Sequence, residues 1–294
     1  IRDCAVQTFA PSLSTLLFAI VLFVLIYYVY GWFNEYKKKS NRATIDRQCY
    51  NVPNNETIFV SIASYRDSQC AETIFDLFEK AYCPFRICVG VCQQNYNGVD
   101  EDVLEGYRRL AKNGVGDFSD RIRIVRMNAD EAKGPMYARH LIETNLFRGE
   151  MFYLITDSHM MWTPNWDKKL IDEWNMCRRT SLKPVLSTYP DDFKPHHRSW
   201  PPMNYDDANG SYLRFKKFNE KNKMVEIEGP SFMRRPTAPV LGMFWGGCLS
   251  FSSSSMIDEV PFDPHCDYVF FGEEISMAAR LWTSGYDIYH PTSM

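Results

Sequence analysis

Between residues 57 and 156 the sequence repeats one pattern, a short apolar run followed by an amphipathic stripe, and no other feature constrains the fold as strongly. Thr57 to Ala63 (TIFVSIA) has β-type composition, and Ile74, Leu77, Phe78 and Ala81 then recur at helical spacing. Arg86 to Val91 is a second apolar run, followed by a helical stripe of Val103, Leu104, Tyr107, Leu110 and Ala111. Ile122 to Met127 is a third, and Gly134-Pro135 opens a helix through Leu146, with proline in the first turn where its missing N–H costs nothing. Met151 to Thr156 is a fourth. Alternation of this kind predicts a mostly parallel sheet with helices on both faces. Ligands of such sheets bind beyond the carboxyl ends of the strands.

The fourth run ends in that position with Asp157-Ser158-His159, before a helix start at Thr163-Pro164. Asp-x-His offers one hard carboxylate oxygen and one imidazole nitrogen to a single divalent ion, a set that suits Mn²⁺ and also Zn²⁺ or Fe²⁺. As a bare tripeptide it reads equally as a polar turn. Gly134 to Arg139 sits at a helix N-terminus, where free N–H groups and the Arg139 charge favour an anion, the alternative being an ordinary helix start.

The second half is less regular. Lys183 to Met243 reads as loops and short strands over the site, and Phe244 to Ser252 as a turn entering a strand. A last helix carries Ile275, Ala278, Ala279 and Trp282 on its buried stripe and ends at Gly285. Trp245 is either a platform for a sugar ring or a core indole beside a tight turn, and Gly246-Gly247 lets a ligand approach the backbone. Glu273 and Glu274 open the last helix, as dipole partners or as groups that hold hydroxyls or take a proton. His196-His197 reads as loop, and His290 is a further candidate ligand. No G-x-S-x-G elbow or Walker loop occurs.

Leu16 to Phe33 contains no charge over eighteen residues. As a helix it spans about 27 Å, matching a hydrocarbon core of about 30 Å. It is too long for a signal peptide and lacks a small-residue cleavage site, so it predicts a single-pass membrane anchor, with Tyr27, Tyr28, Tyr30 and Trp32 at one interface. Lys37, Lys38, Lys39 and Arg42 follow the run and only Arg2 precedes it, which places the C-terminal part on the cytosolic side. Nine cysteines without a paired framework fit the same side as reduced, packed thiols. The sequons at Asn55 and Asn209 matter only if the domain is lumenal. The organisation expected is a tail (1–12), a transmembrane helix (13–33), a polar stalk (34–55) and one α/β domain (56–294). A net charge of -3 supplies no basic face for nucleic acid.

Five segments in order, TIFVSIASYRD, GPMYARHLI, YLITDSHMMWTPNWD, FWGGCLSFS and FGEEISMAARLWTSGYDIY, resemble the cytoplasmic-type protein N-acetylglucosaminyltransferases that modify hydroxyproline, known from protists and large DNA viruses. The similarity to polypeptide N-acetylgalactosaminyltransferases is more distant. The resemblance implies a GT-A fold (Rossmann-like), a UDP-sugar donor such as UDP-GlcNAc, Mn²⁺ or Mg²⁺, a protein acceptor and retention of anomeric configuration. It implies that Asp157 and His159 bind the metal and diphosphate as a DXD-like motif, and that Ser64, Tyr65 and Arg66 hold the nucleoside. It further implies that Arg139 meets the donor, that Trp245, Gly246 and Gly247 line the sugar pocket, and that Glu273 contacts the transferred sugar. A third metal ligand, a histidine, is implied shortly after GYDIYHP, either His290 or a residue past Met294. The rival reading is a non-catalytic membrane-anchored structural protein on the same fold, such as a virion component in contact with neighbouring virion proteins.

Overall fold

A computed structural model describes residues 13–112, 114–191, 209–221 and 223–292, without the side chains of 13–20, 34–35, 37–41 and 209. The expected tail, His196-His197 and the side chains of Lys37 to Lys39 and Asn209 lie outside the described residues. In chain order the elements are α1 (Leu13–Tyr50), β1 (Ile58–Tyr65), α2 (Cys70–Glu79), β2 (Ile87–Asn95), α3 (Val103–Ala111), β3 (Ile122–Asn128), α4 (Pro135–Leu146), β4 (Phe152–Thr156) and α5 (Trp166–Cys177). Then follow β5 (Pro184–Ser187), β6 (Asn209–Phe218), β7 (Val225–Arg234), β8 (Val240–Leu241), β9 (Leu249–Ser253), α6 (Ser255–Glu259), α7 (Glu273–Thr283) and β10 (Asp287–His290). The chain divides into two compact units, Ile1–Thr44 and Ile45–Met294.

In the larger unit an eight-stranded sheet runs in the order β3-β2-β1-β4-β9-β5-β10-β8. Strands β3, β2, β1 and β4 are parallel neighbours, with Ile58 level with both Ile87 and Phe152. β9 runs against β4 and β5 on either side. Period-two side chains explain why both faces are covered. Ile58, Val60, Ile62 and Leu154 point into a core shared with α2, α3 and α5, while Phe59, Tyr153 and Ile155 point into another shared with α4 and α7. Asp102 starts α3 by accepting from the N–H groups of Leu104 and Glu105.

Three expectations change. The segment expected as a polar stalk is helical as far as Tyr50, as part of α1. Trp282 is 76% exposed; of the expected stripe Ala278 is buried, and it packs inward together with Met277 and Leu281. The stretch expected as loops and short strands contains a long antiparallel hairpin, β6 with β7 at ten residues each, which stands as a separate two-stranded sheet. Among the described residues no helix is long and apolar enough to cross a membrane. Part of the expected anchor, the side chains of 16–20, lies outside them.

Cysteine pairing also differs from the expectation. Cys49, at the end of α1, forms a disulfide with Cys83, just before β2, across a sequence separation of 34. Asp167 is fully buried and accepts from the Tyr82 and Cys83 N–H groups and from Arg86, so the fold fixes the Cys83 end of the bridge. Closing a loop of this size removes unfolded-chain entropy worth about 3–4 kcal/mol. Cys49→Ala is therefore expected to lower unfolding stability by about that amount in a urea titration without reductant, and to make it insensitive to reductant.

Candidate functional site

Strands β1 and β4 are parallel neighbours, so their C-terminal ends deliver side chains to the same edge. Asp67, two residues past β1, meets Ser158 and His159 there. The Ser158 hydroxyl donates to Asp67 Oδ2 at 2.6 Å, His159 Nδ1 lies 2.7 Å from the same oxygen, and the Gln69 N–H reaches Oδ1 at 2.8 Å. Burial works to raise the Asp67 pKa, but the bonds from His159, Ser158 and Gln69 outweigh it and hold the group at about 2. An ionised carboxylate only accepts, so Nδ1 carries a proton and Nε2 is the ring nitrogen left to face a metal. A carboxylate behind a histidine in this way orients it as a metal ligand.

The linkage has a definite sign. A depressed acid pKa adds stability that is complete above the unfolded value near 3.8 and is lost as pH falls toward about 2. Asp67→Asn is expected to flatten the acid limb of the unfolding curve between these values by about 1 kcal/mol, the full shift being reduced by solvent screening of this half-buried group, read from urea midpoints at a series of pH values.

Behind Asp157, one guanidinium serves several acceptors. Arg139, from the first turns of α4, is buried, forms an ion pair with the equally buried Glu273, and donates to the Gly247 carbonyl at 3.0 Å. It stands 4.0 Å from Asp157 Oδ1. Rather than facing open space for a donor, Arg139 is a positioning residue that braces Asp157 and Glu273. Glu274 accepts from the Tyr189 hydroxyl. Burial raises its pKa to about 7, with Arg139 opposing and Asp157 adding to the rise.

The glycines of FWGGC are explained by close approach. A Cβ on Gly247 would come within 3.0 Å of the Arg139 guanidinium, and one on Gly246 within 2.7 Å of the Tyr189 ring. Gly246→Ala is expected to displace Tyr189 from Glu274 and to cost about 1–3 kcal/mol of stability by overpacking, measured by urea denaturation. Trp245 is not the sugar platform expected of it. Its indole is fully buried, packs toward Phe262 and donates Nε1–H to Ser250 Oγ at 2.8 Å.

The SYR segment is split by its strand. Ser64 is fully buried, with no surface to offer a nucleoside, whereas Tyr65 is exposed. Arg66 has a left-handed backbone (φ 50), bonds Asp100 at 3.0 Å and lies over the Tyr96 ring at 4.7 Å. His290 is buried, with Nδ1 on the Ser187 carbonyl at 3.0 Å and a pKa lowered by that burial. Among the described residues no group of three His, Cys, Asp or Glu side chains could hold a metal ion, so His290 is not brought together with Asp157 and His159.

A cavity of about 290 Å³ opens at this edge, lined by Gln69, Asp157, His159, Tyr189, Gly229 and Cys248 among others. That is the lower end of the range for small-molecule sites, about 300–1,000 Å³. The Cys248 thiol is pushed up by burial and by the Asp157 charge beside it, which keeps it protonated. Asp67, Tyr189 and Cys248 were not among the residues singled out from the sequence. For Asp67 a signal existed, since it ends the same SYRD run, whereas Tyr189 follows a strand too short to be recognised.

A family model described as Glycosyltransferase (GlcNAc) matches residues 57–108 and 104–294. No curated protein matches the chain. Among solved structures, the chain is similar to a mannosyltransferase from Pyrobaculum calidifontis in complex with GDP-Man and Mn²⁺, at 11% identity over 88% of this chain and 63% of that one, with a TM-score of 0.44. It is also similar to S. aureus TarS 1-349 in complex with UDP-GlcNAc, at 10% identity over 81% of this chain, with a TM-score of 0.47. The chain spans 63% and 56% of the lengths of those two structures.

Proposed function

The chain belongs to the GlcNAc glycosyltransferase family, and on that premise we propose that it transfers GlcNAc, or a similar sugar, from a UDP-sugar to a hydroxyl of a protein with retention of configuration. The observation that carries the proposal is the Asp67–His159 pair beside Asp157 at the rim of the cavity. Asp157 and His159, which line the same cavity, would hold a divalent ion such as Mn²⁺ or Mg²⁺. Bound there, the ion supplies Lewis acidity to the departing diphosphate.

The other roles fall to the chain itself. Asp67 sets the ring of His159, Arg139 holds Asp157 and Glu273 in place, and the paired glycines let the backbone pack tightly behind the cavity. A retaining front-face transfer needs no separate strong base, because the leaving phosphate accepts the proton of the acceptor hydroxyl. To Glu274, which accepts from Tyr189 and whose pKa burial raises to about 7, we assign the bonding of sugar hydroxyls or the exchange of a proton. The membrane anchor is part of the same proposal. Residues 16–33 carry no charge, and α1 continues through them with exposed apolar side chains from Val21 to Phe33.

Calorimetric titration of UDP into the chain with and without Mn²⁺ is the test. Binding is expected only with the metal, and Asp67→Asn is expected to weaken metal-dependent binding about 10–100-fold. Equal UDP affinity in the absence of metal would remove the role given to Asp157 and His159. No binding under either condition would favour the non-catalytic, architectural reading.

A further inference from the structure

We propose that the globular unit matures in an oxidising, glycosylating compartment, where the Cys49–Cys83 disulfide closes and Asn55 accepts an N-linked glycan. The first observation is the disulfide itself, since such bridges persist where thiols are oxidised and are rare where glutathione keeps them reduced. Its Cys83 end is built into the fold, because buried Asp167 fixes the Tyr82 and Cys83 amides. The pair is therefore no chance approach of two surface cysteines.

The second observation is independent of the first. Asn55-Glu56-Thr57 is an acceptor sequon. Asn55 is exposed on the turn that leads into β1, with its carbonyl accepting from the Thr57 N–H at 2.8 Å. A glycan on this side chain extends into solvent. Neither core nor strand pairing involves Asn55.

The remaining cysteines suit such a compartment. Of the six free cysteines among the described residues, Cys70, Cys92 and Cys177 are buried, and burial raises all three thiols to about 12. Cys88, Cys248 and Cys266 are partly covered, and burial raises the pKa values of Cys88 and Cys266. Thiols kept in the neutral form are poor partners for disulfide exchange. The charges after residue 36 point to the opposite side of a membrane. Charge bias is a statistical influence on insertion, whereas a bridge built into the fold needs an oxidising environment to form and persist.

Both steps balance. Two thiols become one disulfide, and their two electrons and two protons pass to the disulfide of a thiol oxidoreductase, which leaves as a dithiol. At Asn55 the amide nitrogen bonds C1 of an oligosaccharide carried on a lipid diphosphate. The diphosphate leaves with the bonding pair, and the amide gives up one proton.

The test uses the full chain isolated from the cells that make it, with thiols blocked at lysis. After glycosidase treatment in ¹⁸O-water, peptide mass mapping is expected to show Cys49 and Cys83 linked until reductant is added, and Asn55 converted to labelled Asp. Asn55→Gln is expected to abolish that label and its gel shift, while Thr57→Ser, which preserves the sequon, keeps both. Alkylated Cys49 and Cys83 in the unreduced sample would overturn the compartment assignment. Unlabelled Asn55 in a chain with the bridge intact would overturn the modification site.

Discussion

Asp157→Asn is expected to lower turnover of a UDP-sugar by at least about three orders of magnitude, equivalent to about 4 kcal/mol of transition-state stabilisation, while leaving the urea midpoint unchanged. The substitution keeps the shape of the side chain and removes its charge. Asp157 is 29% exposed at the end of β4, and its nearest ion-pair partner, Arg139, stands 4.0 Å away, so the core does not depend on it. A divalent ion held at this position needs an anionic oxygen, which an amide cannot replace at comparable affinity. The measurement is kcat at saturating Mn²⁺ and donor, set beside the same quantity for His159→Ala. Activity within tenfold of the parent chain would mean that charge develops elsewhere in the cavity. The unchanged urea midpoint guards against reading an unfolding defect as a catalytic one.

The legible half of the fold lies where periodicity is clean. Strands β1 to β4 were visible because each is a short apolar run ended by a turn, and α2 to α4 because each helical stripe follows one of them. Beyond α5 the signal weakens for physical reasons. Strand β5 has four residues, too few to show a period, and β6 and β7 pair with each other outside the main sheet, where little apolar patterning is needed. Helix α7 was visible as a helix but with its face misassigned, since Trp282 looks like core and is solvent-exposed while Met277 and Leu281 do the packing.

The site was legible in position more than in roles. Asp157 and His159 stand at the strand edge where a ligand is expected, yet Asp67, the partner of His159, sits some ninety residues away in sequence and is brought close by the parallel pairing of β1 with β4. Trp245 and Ser64 illustrate the reverse limit. A motif can name a residue type without revealing whether its side chain faces the cavity or the core, and both face the core.

The largest stability effect is expected at Arg139. Arg139→Leu removes the one ion-pair partner that the Glu273 carboxylate has among the described residues, and Glu273 is itself buried, so the variant must either bury an uncompensated charge or protonate it. Breaking a buried pair from one side costs about 3–5 kcal/mol, because the remaining ion has lost its water without regaining a counter-charge. The loss is expected to grow with pH. Glu274 already titrates at about 7 because of burial, with Arg139 opposing that rise, so its removal moves the group further up. An acid whose folded pKa is raised leaves stability intact below its unfolded value and erodes it as pH climbs toward the folded one, so the variant should unfold more readily at pH 8 than at pH 5. A second variant, Arg139→Leu with Glu273→Leu, separates packing from charge. Replacing both members of a buried pair by apolar groups is often neutral, so the double change is expected to recover most of the stability. It should not recover sugar transfer, because Asp157 then lacks the brace that holds it toward the cavity. A single-variant loss below about 1 kcal/mol would mean that water reaches Glu273 and that the pair is not the buried anchor of this site.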